Sequence, residues 1–258
     1  MSLHPLAASF DSVAGAYERG RPGYTAAVIE RLIAELGIGP GAPVLDLAAG
    51  TGKLTRALLA AGLDVVAVEP QSSLREVLVT VVGPERVHDG VAEAIPLPER
   101  SMAAVMVADA FHWFDAAGAL SEMARVLRPG GGLAVLFTVA DWSGASWGHE
   151  VGTLLAELRP EHPGFDGPSW QDAVRAAGGW TAPREIRLTS SQPFDVDRLL
   201  DYVASISWVA ALPGDRRAET LARIGAIARA GTTPAELPVH VVAGLSAVAD
   251  CAERAGDA

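Results

Sequence analysis

Two hydrophobic rhythms alternate along this chain. Short, nearly continuous apolar runs at 43–47, 64–68, 103–108 and 133–138 have the length of strands buried on both faces. Between them, apolar residues recur every three or four positions, as in helices packed by one face. Val28, Ile29, Leu32, Ile33 and Leu36 form such a face, with Thr25 placed to cap the helix and Gly37 to end it. The same spacing predicts helices from the glycine-rich turn at 48–52 to about 61, and at 72–82, 116–127, 149–159 and 170–177. Shorter strands are expected near 86–89, 184–190 and 238–243, with two helical runs at about 195–211 and 214–230 between the last two. Residues 5–20 read as a short helical arm closed by the turn at 20–24, and residues after 245 as a helical or frayed tail.

Strands alternating with helices predict an α/β fold, a doubly wound, Rossmann-like parallel sheet with right-handed crossovers. One domain is expected. Residues 1–40 supply the arm and first helix, 41–140 the ligand-binding core, 141–183 and 195–235 a helical cap, and 184–194 and 236–244 the closing strands.

Composition narrows the function. The chain has 258 residues, half of them apolar, enough for a full core. Its formal net charge is −11 with no Lys/Arg run, which argues against a nucleic-acid surface and for a small-molecule partner. Cys251 is the only cysteine, so neither an intrachain disulfide nor a cysteine metal site is expected. His4, His88, His149, His162 and His240 lack ligand spacing, so no metal is expected. No leader pattern and no apolar run of about 18 residues occurs, so the expectation is a cytoplasmic protein with no membrane span. Composition leaves the oligomeric state open.

The stretch 44–55, Val-Leu-Asp-Leu-Ala-Ala-Gly-Thr-Gly-Lys-Leu-Thr, is a strand, a small-residue turn and a helix start. Such turns hold nucleotide-like ligands against bare backbone. A phosphate-binding P-loop fails, because Leu54 follows Gly52-Lys53 and position 47 is Leu. The dinucleotide fingerprint holds only until Thr55, and Asp46 at the strand end disfavours a pyrophosphate. S-adenosylmethionine, with an ammonium and a sulfonium, suits an acid there. Glu69, at the tip of the second strand, is placed for ribose hydroxyls, a device that dinucleotide enzymes share.

Five blocks carry a resemblance: 44–55; Val68-Glu69; 90–98; Ala110-Phe111-His112-Trp113-Phe114-Asp115; and Arg125-Val126-Leu127-Arg128-Pro129-Gly130-Gly131. Together they resemble class I S-adenosylmethionine-dependent methyltransferases. The His-Trp-Phe-Asp segment and Tyr17…Gly20-Arg21-Pro22-Gly23-Tyr24 are similar to a subgroup that includes trans-aconitate methyltransferase-like small-molecule enzymes. The resemblance implies about seven strands, mostly parallel with the last antiparallel, and S-adenosyl-L-methionine as cofactor. It implies that Asp46, Ala48, Gly50, Thr51 and Gly52 hold the methionine end, and Glu69, followed by Pro70, the ribose. Ala92 and Glu93 would line the adenine, and Ala110 to Phe114, including His112, would wall the sulfonium. Two positions depart from the pattern. Ala48 replaces a usual glycine, a mild change if its backbone angles are ordinary. Val91 replaces the usual acid for the adenine amino group, leaving Glu93, Asp89 or backbone groups as substitutes.

Methyl transfer from a sulfonium is a direct displacement, so alignment and water exclusion dominate, and a base is needed only where the acceptor must lose a proton. Candidate catalytic residues are His112, after the fourth strand, and Tyr17 and Arg21 on the arm, Arg21 being able to pair with a carboxylate of cofactor or acceptor. Trp142, Trp147, Trp170 and Phe165, with Tyr202 and Trp208, are either acceptor-pocket walls or packing. A non-catalytic S-adenosylmethionine-binding regulator and a nicotinamide-dependent oxidoreductase are the alternatives.

Overall fold

The computed structural model describes residues 4–249, and there the predicted alternation closes into one seven-stranded sheet. The arm consists of α1 (Pro5–Ala8), a 3₁₀ segment (Ser9–Val13) and α2 (Ala14–Gly20), followed by α3 (Ala26–Leu36). The core runs β1 (Pro43–Leu47), α4 (Lys53–Ala60), β2 (Asp64–Val68), α5 (Ser72–Val82), β3 (Val87–His88), β4 (Met102–Ala108), α6 (Ala116–Val126) and β5 (Leu127–Ala140). Then come α7 (Gly148–Leu158), α8 (Pro163–Asp166), α9 (Trp170–Ala177) and β6 (Arg184–Pro193). Three cap helices, α10 (Val196–Ala204), α11 (Ser207–Ala210) and α12 (Gly214–Ala230), precede β7 (Glu236–Ala247).

The strand order is β3-β2-β1-β4-β5-β7-β6. β1 to β5 pair in parallel, and β7 slots between β5 and β6, antiparallel to both. The order reverses between β1 and β4, and at such a switch point the carboxyl ends of the strands leave a crevice.

Alternation along the strands builds two apolar layers. Leu45, Leu47, Val105, Val107 and Val135 face α6 and α9, while Val44, Val65, Met106 and Leu136 face α3 and α4. Burying a side chain such as Leu45 or Leu136, both 0% exposed, contributes about 2 kcal/mol. A third apolar cluster joins α7, α10 and α12 around Trp147, Leu199 and Ile224, and this is the cap's own core.

Four local expectations change. β5 starts at Leu127, not 133: Met102 pairs with Leu127 but Ala104 with Gly132, so the Arg128–Gly131 stretch bulges out of a continuing strand. Thr25 occupies the cap position of α3, but its side chain makes no capping bond. The 195–211 run breaks at Ser205 into α10 and α11. β7 continues to Ala247, where a tail was expected after 245, because its last residues pair with Gly132 and Leu133. The rest of that tail, with Cys251, lies outside the described residues.

Candidate active site

The loop after β1 is held from inside. Asp46 is fully buried and accepts from Thr55 Oγ1 at 2.6 Å, tying the strand to the first turn of α4. Burial pushes its carboxyl up to about 7. Asp46, Thr51 and Gly52 do not line the cavity beside the loop, which Ala48 and Gly50 do line. Asp46 thus braces the loop through Oδ2, while its Oδ1 is buried with no partner among the described residues. Ala48 adopts φ +57°, in the left-handed region, so the condition under which its replacement of glycine is mild is not met. Gly50 (φ +60°) presents bare backbone, and a Cβ there would sit 3.8 Å from the Tyr17 ring.

Two strand tips bring carboxylates to the cavity. Glu69, only 2% exposed, accepts from the backbone N–H of Gly50 at 2.8 Å and of Gln71 at 2.9 Å. Burial raises it to about 7 against those two bonds. Asp109, directly after β4, lies at φ +53° and accepts from the Thr138 N–H at 2.7 Å. Burial raises it to about 6, opposed by that bond and by the Arg21 guanidinium. Pro70, Ala92, Glu93, Ala110 and His112 also line the cavity. Asp89, the proposed substitute for the missing adenine acid, does not: it pairs with Arg75 and points outward. Glu93 Oε1 is taken by the Asp115 N–H at 2.8 Å.

The arm closes over this half. Gly20 has no side chain because α10 backbone occupies its place: a Cβ would stand 2.1 Å from Tyr202 N. On either side, Arg19 grips Asp201 through two 2.8 Å bonds, and Glu18 pairs with Arg56 at 2.7 Å on α4. Lys53, also on α4, donates to the Glu18 carbonyl at 2.7 Å, and burial draws its ammonium down to about 8. Tyr17 and Arg21 thereby reach the cavity. The buried Tyr17 phenol is pushed well above its ordinary range and stays protonated. Arg21 spends Nε and Nη2 on Ser205 Oγ and O, both at 2.9 Å, and its Cζ sits 4.9 Å from the Tyr202 ring; Nη1 makes no hydrogen bond among the described residues.

Beyond the loop the cavity, about 610 Å³ in all, becomes aromatic. Its volume is that of a small-molecule site. His112 lies 4.5 Å from Trp113 and 5.5 Å from His162, centroid to centroid. Its Nδ1 is buried without a partner, and burial draws its pKa down to about 4, so the ring is neutral at pH 7. His162 is committed: Nδ1 accepts from the Gly164 N–H at 3.0 Å, so Nε2 carries the proton and donates to Ser207 Oγ at 3.1 Å. Trp142, Phe165, Tyr202 and Trp208 line this half. Trp147 and Trp170 do not: Trp147 donates to Thr233 inside the cap, and Trp170 lies on Gly244 of β7. Among the described residues, no His, Cys, Asp and Glu group is arranged to hold a metal ion, and no helix is long and apolar enough to cross a membrane.

Sequence reasoning missed Asp109, Arg159 and the wall role of His162. Asp109 carried a usable signal, since it stands at the tip of an apolar strand beside the named Ala110. Arg159 closes a predicted helix but faces no patterned partner, and His162 follows it in a segment without periodic pattern.

Known proteins point the same way. The family described as "Methyltransferase domain" matches residues 45–135. An uncharacterised methyltransferase of Mycobacterium tuberculosis is 39% identical over 225 residues, covering 86% of each chain. A demethylmenaquinone methyltransferase of a Mycobacterium species is 36% identical over 142 residues, 51% of this chain and 59% of that one. Haemonchus contortus phosphoethanolamine N-methyltransferase 2, solved with phosphomonomethylethanolamine and S-adenosylhomocysteine, shares the fold at TM-score 0.54 and 14% identity, over 93% of this chain and 57% of that one. These matches decide among the readings the glycine loop left open: the chain belongs to the class I S-adenosylmethionine-dependent methyltransferases.

Proposed function

We propose that the cavity holds S-adenosylmethionine in its loop-side half and a small-molecule acceptor in its aromatic half. The single observation that carries this assignment is the pair of carboxylates, Glu69 buried and Asp109 half-buried, beside the bare backbone of Gly50. Burial resists charging both, so a cationic ligand offers them what the protein withholds. Arg21 Nη1 is free to pair with the methionine carboxylate, and Asp109 with the ammonium. Glu69 keeps a lone pair on each oxygen for the ribose hydroxyls, and residues 91–93 border the adenine, where Glu93 Oε2 replaces the acid absent at Val91.

The bound donor supplies an electrophilic methyl group on sulfonium; the chain positions, shields and balances charge. Tyr17 covers Gly50 and, with the cap, keeps water out. His112 walls the junction between the halves. At about 4 its pKa makes it a weak proton acceptor, and both nitrogens of His162 are engaged. The acceptor half is poor in bases, which suits a nucleophile that carries its lone pair at neutral pH.

Calorimetry with S-adenosylhomocysteine tests the assignment. Binding to the natural protein, weakened at least tenfold by Asp109→Asn and by Arg21→Met, is expected from loss of charge-assisted contacts of about 1.5–3 kcal/mol each. Undiminished binding in both variants refutes the placement of the methionine end.

A further inference from the structure

The mouth of the aromatic half holds hydrogen-bond donors that nothing among the described residues accepts. Arg159 ends α7 and lines the cavity, with its Cζ 4.2 Å from the Phe165 ring centroid. Among the described residues its guanidinium enters no ion pair and no hydrogen bond; besides Phe165 it acts only on the His162 ring, whose pKa its charge helps to lower. Two arginines line the cavity, and neither has a carboxylate partner among the described residues: Arg21 is held by Ser205, whereas Arg159 has no hydrogen bond. Trp208 lines the same cavity, and its ring meets Phe165 edge-on at 6.0 Å. Its Nε1 is buried with no partner, and an indole nitrogen is a donor only. Two donors without acceptors therefore flank one phenyl ring, which is itself 62% exposed.

The carboxylates that line the cavity, Glu69, Asp109 and Glu93, all belong to the loop-side half. In the aromatic half, burial lowers the pKa values of His112 and His162. From the junction to the mouth the rings form a ladder, His112 to His162 at 5.5 Å and His162 to Phe165 at 5.4 Å, ending under Arg159. A ligand lying along it meets aromatic rings, tilted 43° and 67° to one another, with the Arg159 cation at the outer end and the Arg21 cation beside Tyr202.

We infer that the acceptor is a flat aromatic carboxylate, its ring system lying along the ladder and its carboxylate taken by Arg159 and the Trp208 indole N–H at the mouth. This rests on the placement of the methyl donor in the loop-side half. The carboxylate is an anchor, and the methylated atom is at the other end of the molecule, beside His112. Arg159 and Trp208 are then specificity determinants, remote from the reacting atoms.

The test uses the full chain saturated with S-adenosylhomocysteine and three matched probe pairs: benzoate, 2-naphthoate and 9-anthroate, each against its neutral carbinol. Binding is read by quenching of tryptophan fluorescence and by calorimetry. At least one acid binds about tenfold more tightly than its carbinol, the size of a charge-assisted hydrogen bond. Arg159→Met removes that preference, Trp208→Phe reduces it while keeping a ring, and both leave S-adenosylhomocysteine affinity unchanged. No preference in any pair, no binding by any probe, or a preference that survives Arg159→Met overturns the inference while leaving the donor site intact. Failure of S-adenosylhomocysteine itself to bind overturns the donor placement, and the inference with it.

Discussion

Ala48→Gly should stabilise this protein, and its neighbour should show the opposite sign. Ala48 sits at φ +57°, where an L residue costs about 1–2 kcal/mol relative to its ordinary regions. Glycine removes that strain but gives the unfolded chain more freedom, a penalty of about 0.5–1 kcal/mol. The net gain is about 0–1.5 kcal/mol, centred near 0.75, and for a chain of this size each kcal/mol moves Tm by about 2–4 °C. Ala49 is not among the residues with positive φ and gives its N–H to the Val68 carbonyl at 3.1 Å. There the same substitution adds only unfolded-state freedom and lowers Tm by about 1–3 °C. Differential scanning calorimetry of the two variants is the assay. Equal falls in Tm would falsify the claim that the loop is strained at 48.

Other outcomes follow from the same geometry. Asp109 is raised from 3.8 to about 6 in the folded protein. Its proton is held more tightly folded than unfolded, so its contribution to stability is present at low pH and lost as pH rises through about 6. Asp109→Asn should therefore match the natural protein near pH 4 and exceed it near pH 7 by on the order of 1–3 kcal/mol in urea titrations; a gap that does not widen with pH contradicts this. Gly20→Ala forces a methyl into the α10 backbone. It should lower stability by about 1–3 kcal/mol and weaken S-adenosylhomocysteine binding, because Tyr17 and Arg21 flank the contact; unchanged affinity in calorimetry counts against the arm as a cofactor wall. Gly50→Val, at φ +60° beneath Tyr17, should weaken that binding at least tenfold, about 1.4 kcal/mol, with circular dichroism unchanged, and retained affinity argues that the ligand does not lie on this backbone.

The sheet was legible because its strands are short apolar runs, and a run such as 64–68 has few other uses than burial. The glycine loop was legible for the same local reason. Asp46 was readable as an acid at a strand tip, but its direction was not. Which way it points depends on Thr55, nine residues on, whose hydroxyl draws it inward. The acceptor half was opaque for a different reason. His112, His162, Phe165, Arg159 and Trp208 come from separate elements, and they meet only because the cap folds over the sheet edge with a core of its own. Trp170 shows the limit in the other direction. Its neighbour is Gly244, seventy-four residues away, and no pattern around either residue announces that an indole will lie on that glycine.

The direction of β7 also sets how the molecule can be handled. Val239 lies opposite Ala140 at the cavity edge of the sheet, and Ala247 opposite Gly132 at the far edge. The strand thus carries the chain away from the ligands, whereas His4, at the other end of the described residues, is itself part of the cavity wall. A fluorophore or affinity handle attached at Ala247 stands at the far edge of the sheet and leaves the mouth open to exchange. The same attachment at His4 stands on the wall that Trp113 shares, 5.4 Å away ring to ring, and competes with whatever the site must admit.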